Sequence, residues 1–179
     1  MNAASVALAF LEQAREYLRD DYLPKIERCL ERLTDEQVWW RAGEHSNSIG
    51  NLLLHLEGNV RQWIVSGVGG VTTDERDRQS EFDERRQHAR SLLLERLRRT
   101  LSDTDAVLAQ LDPSALDRRL KIQGQDVSVL AAIFHVVEHF SMHTGQIILL
   151  TKMHTDGDLR FYDFSDGTSR HNWHKGSDR

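Results

Sequence analysis

The chain has 179 residues, 39% hydrophobic and 28% charged, the balance of one globular domain able to bury a core without staples. Its net charge of -5 gives no electrostatic reason to expect a nucleic-acid partner. No apolar run approaches the roughly 18–20 residues needed to span a bilayer, and a single cysteine, Cys29, excludes an internal disulfide and suits a reducing compartment.

The opening Met1-Asn-Ala-Ala-Ser-Val lacks the basic n-region of a signal peptide, so a cytoplasmic location is expected. Leu8, Leu11, Tyr17, Leu18, Tyr22, Ile26, Leu30 and Leu33 recur at helical spacing and predict a first long helix over 5–33. Pro24 removes a backbone donor within it, which predicts a kink near Asp20 to Asp21. Cys29 reads as a small buried hydrophobe. Thr34 and Gln37 form a capping-box pattern that opens a short helix through Trp39 and Trp40. Both tryptophans read as core or rim packing.

Ser48 is the expected cap of a second long helix, Ile49 to about Val65, which Gly67, Gly69 and Gly70 terminate. A crossover from about Ser66 to Ser80 follows, containing Asp74-Glu-Arg-Asp-Arg. A third helix is expected from Phe82 to Leu111, ended by Pro113. The arginines between Arg85 and Arg99 are interrupted by Glu95 and read as a solvated face. Residues 120–127 alternate polar and apolar around Gly124, as either a loop or a short hairpin. Ser128 caps the last long helix, which runs to about Lys152. Leu159-Arg-Phe-Tyr-Asp-Phe should pack on the domain, with a polar, mobile tail from Ser165. The expected organisation is an all-α four-helix bundle over residues 1–164, with a short extra helix, and a tail over 165–179.

The last long helix carries His135, His139 and His143. Residues four apart on a helix stand one above the other, about 6 Å along the axis, so two such imidazoles can share one ion. The outer pair, about 12 Å apart, cannot. A third ligand must come from another helix. His55 sits within Leu52-Leu53-Leu54-His55-Leu56, where an unpaired imidazole would be costly, with Asn51, Asn59 and Gln62 near its face. The ligand set is therefore His55 with either His135/His139 or His139/His143. Three imidazoles suit zinc, nickel or another late first-row divalent ion and leave a position open. That position can hold water, as in a hydrolase, or a thiolate; a closed site would instead mark a structural metal in a non-catalytic bundle. Glu138 and Gln146 are candidates to orient the ligands, with Glu138 also a candidate for proton transfer. His45, His88, His154, His171 and His174 read as surface residues.

The run His135-Val-Val-Glu-His139-Phe-Ser-Met-His143-Thr-Gly-Gln146 resembles the H-x-x-x-H-x-G-Q signature of the DinB/YfiT-like superfamily of metal-dependent proteins. Asn47-Ser-Ile-Gly-Asn-Leu-Leu-Leu-His55-Leu, with Gly58-Asn59 following, resembles that family's second-helix motif. The likeness extends to Arg76-Asp-Arg with Glu81-Phe82, and to Leu159-Arg-Phe-Tyr162. It departs at Thr144, where many members carry Arg, and at Glu138, where many carry Asn. The resemblance implies an up-down-down-up bundle, usually homodimeric, with a divalent metal on His55, His139 and His143. His135 then becomes a neighbour of the site beside Asn59 and Gln146. Members with assigned activity imply a transferase or isomerase acting on a small-molecule substrate with a low-molecular-weight thiol such as bacillithiol or mycothiol.

Overall fold

The computed structural model describes residues 2–71, 76–155 and 157–172. Its helices form a bundle. The first strand of the bundle is α1 (Ala3–Glu16), which passes through a π-helical stretch, Tyr17–Tyr22, into α2 (Leu23–Glu31). The expected kink is this stretch. Pro24 has no N–H to offer the carbonyl of Asp20, and the chain widens one turn instead, with the Leu23 N–H donating to the Leu18 carbonyl.

The Thr34–Gln37 capping box opens the short α3 (Asp35–Val38), after which Trp39 is buried and Trp40 stays 39% exposed. Ser48 caps α4 (Ile49–Val60) through a second capping box with Asn51. The helix continues as a π-helical stretch, Arg61–Val68, so it outruns its expected end at Val65. At Gly67 a Cβ would collide with Ile122, which explains how closely the following hairpin approaches this stretch.

The helix expected over 82–111 is two elements. α5 (Arg78–Asp83) is capped by Asp77, and α6 (Arg90–Gln110) begins only after an irregular link. The break falls at Glu84, whose backbone is extended and whose carboxylate accepts from the Arg85 and Arg86 amides. Those bonds offer an alternative to helical hydrogen bonding. A tight turn, Pro113–Asp117, then leads to β1 (Arg119–Ile122) and β2 (Gln125–Ser128). These pair as an antiparallel hairpin, the second of the two forms allowed by the sequence. Gln123 and Gly124 both take positive φ at its tip, as a two-residue hairpin turn requires.

Ser128 caps α7 (Val129–Thr155), with its hydroxyl accepting from the Ala131 amide. Beyond it Leu159 is buried and Phe161 packs on the core, but Phe164 is 63% exposed. β3 (Tyr162–Asp163) pairs with β4 (Arg170–His171), so backbone order carries past the expected boundary at residue 164. His174 lies outside the described residues, as do Asp74 and Glu75 of the crossover.

The core lies between α2, α4, α6 and α7. Ile26, Leu53, Leu56, Leu97, Ile133 and Phe140 are all fully buried there, each worth roughly 1.5–3 kcal/mol of transfer free energy. α4 packs on both α6 and α7. It is therefore the element through which polar groups reach the centre of the bundle. Cys29 is buried, as expected, and burial pushes its thiol up to about 11. Among the described residues no helix is long and apolar enough to cross a membrane.

Candidate metal centre

Two polar stripes meet in the core. α4 and its π-helical continuation present His55, Asn59 and Trp63 at intervals of four, and α7 presents His135, His139 and His143 at the same interval. His55 meets His139 and His143, while Asn59 and Trp63 meet His135. Numbers rise on one helix as they fall on the other, so α4 and α7 run antiparallel here.

The Nε2 atom of His139 stands 3.1 Å from Nε2 of His55 and 3.1 Å from Nε2 of His143. One ligand atom from each of the three lies within 4.8 Å of those of the other two. Nitrogens held about 2.0–2.1 Å from one tetrahedral ion stand roughly 3.3 Å apart, so the cluster has the dimensions of a three-imidazole site. Among the described residues no fourth His, Cys, Asp or Glu joins it. His55 and His143 are buried, whereas His139 is half-buried, which leaves one side of the cluster towards solvent.

The outer nitrogens explain why these atoms converge. His55 Nδ1 lies 2.9 Å from Glu81 Oε2, and His143 Nδ1 lies 2.7 Å from Gln146 Oε1. Arg76 Nη2 also lies 3.1 Å from His55 Nδ1, but it donates at a shorter 2.8 Å to Glu81 Oε2. A carboxylate and an amide oxygen can only accept, so with Nδ1 of His55 and of His143 donating to them, each Nε2 presents a bare lone pair. His139 has one Nε2 facing both. A single N–H there can satisfy one neighbour and must leave the other's lone pair without a donor. A cation satisfies all three. The donor set therefore fits a late first-row divalent ion.

Burial favours the neutral form of the three α7 imidazoles. Burial, then the neighbouring His143 and His55, pushes His139 down to about 3, and burial also lowers His143 and His135. Burial alone would raise the Glu81 carboxyl, but hydrogen bonds from Arg76 and His55 outweigh it and hold the group below its usual range. The folded metal-free chain keeps His139 neutral to about pH 3, while the unfolded chain takes up that proton near the ordinary value of about 6.5. The unfolded state binds more protons in that window, so stability falls as pH falls through it. Urea denaturation of metal-free protein at several values between pH 7 and 4 should show this loss, and His139→Gln should flatten it. An equal pH slope in the variant would contradict the assignment.

The expected neighbours divide. Gln146 orients His143, and His135 stands one turn away, its Nε2 3.4 Å from Asn59 Nδ2 and its ring 4.3 Å from that of Trp63. Glu138 is exposed and, among the described residues, makes no hydrogen bond to the cluster. The carboxylate that does reach one of the three histidines is Glu81, from α5, with Arg76 held against it. Both residues fall in the stretch of the resemblance that includes Arg76-Asp-Arg and Glu81-Phe82, although nothing in their spacing ties them to His55. Phe82 adds a ring 4.6 Å from that of His55. Gly58, Gln62, Arg76 and Glu81 also border a cavity of about 860 Å³ between α4, α5 and α6. Of the surface histidines, His45 and His171 are exposed as expected. His88 is instead paired with Glu84, and His154 packs edge-on against Trp40.

Fold and site together define the class: a helical bundle whose facing helices bring three histidines close enough to hold one metal ion. The chain belongs to the family described as protein of unknown function (DUF1572), which matches residues 5–167. Its fold is DinB-like. A DinB-like protein from Bacillus cereus superposes with a TM-score of 0.63 at 16% identity, covering 80% of this chain and 90% of that one. A conserved protein from Enterococcus faecalis superposes with a TM-score of 0.62 at 15% identity, covering 88% and 99%. No curated protein matches the chain significantly.

Proposed function

We propose that the protein is a divalent-metal-dependent enzyme that holds zinc or nickel on His55, His139 and His143 and uses a low-molecular-weight thiol as nucleophile. The observation that carries the metal reading is the convergence of three Nε2 atoms whose outer nitrogens are fixed as donors on two of the three rings. Three protein ligands with one side towards solvent suit a catalytic rather than a structural site. A bound ion of this kind supplies Lewis acidity, lowering the pKa of a thiol or of water placed beside it.

The choice of thiol over water rests on the side chains around the cluster. Hydrolysis calls for a group that moves a proton to the leaving atom. Glu81 is paired with Arg76 and His55, and Glu138 faces solvent. Neither is placed to do this. A thiol, with an ordinary pKa near 8.5, becomes a thiolate at neutral pH with metal assistance alone. The chain's own residues then orient His55 through Glu81 and His143 through Gln146.

A homodimer accompanies this reading. Leu130, Phe134, Met142, Leu149 and Met153 lie along one face of α7 and are each more than two-fifths exposed. Exposed apolar side chains of this size favour burial in an interface, and a second copy related by a two-fold axis would present the same residues in return.

The test is a conjugation assay on metal-loaded protein, with several small thiols against a panel of electrophiles, run beside ester and amide substrates. Metal-dependent thiol conjugation by a species of twice the 20.7 kDa chain mass is expected. Ester or amide hydrolysis without conjugation would reverse the choice of nucleophile.

A further inference from the structure

The face of α4 and its π-helical continuation turned towards α5 carries Asn51, His55, Gly58 and Gln62, at intervals of four, three and four, and all four are engaged by one short segment, residues 76–84. Asn51 Nδ2 donates to the carbonyls of Glu81 at 2.9 Å and Glu84 at 3.1 Å. Glu81 Oε2 accepts from His55 Nδ1. Arg76 donates to Glu81 through Nε at 2.6 Å and Nη2 at 2.8 Å, and through Nη1 to Gln62 Oε1 at 3.0 Å. Gly58 leaves the space in which this pair sits, because a Cβ there would overlap Glu81 Oε1 and Arg76 Nε. Both side chains are about nine-tenths buried, at 8% and 11% exposure.

A buried ion pair is a poor source of stability, since desolvation offsets most of its attraction. Its placement against one nitrogen of one histidine points instead to that histidine. We propose that Glu81, fixed by Arg76 and seated over Gly58, is the positioning residue of the metal centre, and that docking of α5 on α4 is coupled to metal binding. The inference rests on the three-histidine reading of the site.

The physical chain has two steps. Glu81 holds the Nδ1 proton of His55 and so commits its Nε2 lone pair to the cluster, setting both tautomer and ring angle. An ion on Nε2 in turn makes the Nδ1–H a stronger donor and tightens its bond to Glu81. Coupling of this kind is reciprocal: whatever metal gains from docked α5, docked α5 gains from metal.

The experiment is zinc affinity of untagged, metal-free protein, measured by chelator competition, with hydrogen exchange read in the same samples. Glu81→Ala should weaken zinc binding by about 10–100-fold, and Glu81→Gln, which keeps an acceptor without the charge, should fall between. Gly58→Ala leaves Glu81 in the sequence but blocks its seat, and should reproduce the loss. In the wild type, zinc should slow amide exchange across 78–84 while leaving the middle of α6 unchanged. Wild-type affinity in both folded Glu81→Ala and Gly58→Ala, or exchange across 78–84 indifferent to zinc, would overturn the inference while leaving the triad intact. Absence of zinc binding by the wild type would overturn the triad reading and this inference with it.

Discussion

His55→Ala and His143→Ala should each abolish binding of a divalent ion at micromolar concentrations, while His135→Ala retains it. The two named histidines supply Nε2 atoms on either side of His139 Nε2, at 3.1 Å each. Apparent binding free energies of about 10–16 kcal/mol for four-ligand zinc sites correspond to roughly 2.5–4 kcal/mol per ligand. Loss of one therefore weakens binding by about 70-fold or more. His135 is directed to Asn59 and Trp63 instead, one turn beyond the cluster. Equilibrium dialysis of the three variants against zinc checks the assignment. Loss of metal in His135→Ala with retention in His143→Ala would show that the wrong pair of α7 histidines had been chosen.

Asn51→Ala should produce the largest loss of stability among the polar positions. This side chain is fully buried and serves two structures at once. Its Oδ1 accepts from the Ser48 amide and hydroxyl at the start of α4, and its Nδ2 donates to two carbonyls at the end of α5. Removing the cap partner costs about 1 kcal/mol, and each carbonyl left without a donor adds on the order of 1 kcal/mol or more. A loss of about 2–4 kcal/mol in urea denaturation of the metal-free protein follows. Asp83→Ala, an exposed change on the same short helix, should be near neutral. A loss below about 1 kcal/mol in Asn51→Ala would mean that α5 is held by other contacts.

The histidines were legible in the sequence because a helix turns an interval of four into a shared face. The two-to-one division between α7 and α4 follows from rise per residue alone. Gln146, three residues beyond His143, was legible for the same reason. Glu138 makes no hydrogen bond to the cluster among the described residues. It adjoins His139 in sequence, but adjacent helical residues project about 100° apart, and Glu138 faces solvent. Glu81 was marked with Arg76 by the resemblance, but its contact with His55 was not, because it stands 26 residues away and arrives through a crossover with no periodicity of its own.

The same limit explains the fold. Caps at Thr34, Ser48 and Ser128 follow from local hydrogen bonding and hold in the structure. The break at Glu84 does not, because Asn51 on another helix helps to fix it. The π-helical stretch at Tyr17–Tyr22 could be located from Pro24, although its form could not. The second stretch, Arg61–Val68, has no proline to announce it, and it accompanies close packing of Gly67 and Gly69 against residues far away in sequence.

The central claim is that one metal ion joins α4 to α7, and calorimetric titration of metal-free, untagged protein with zinc tests it most directly. One ion should bind per chain, with saturation, and the melting temperature should rise as the site fills. A folded, metal-free chain that takes up no zinc or nickel would contradict it.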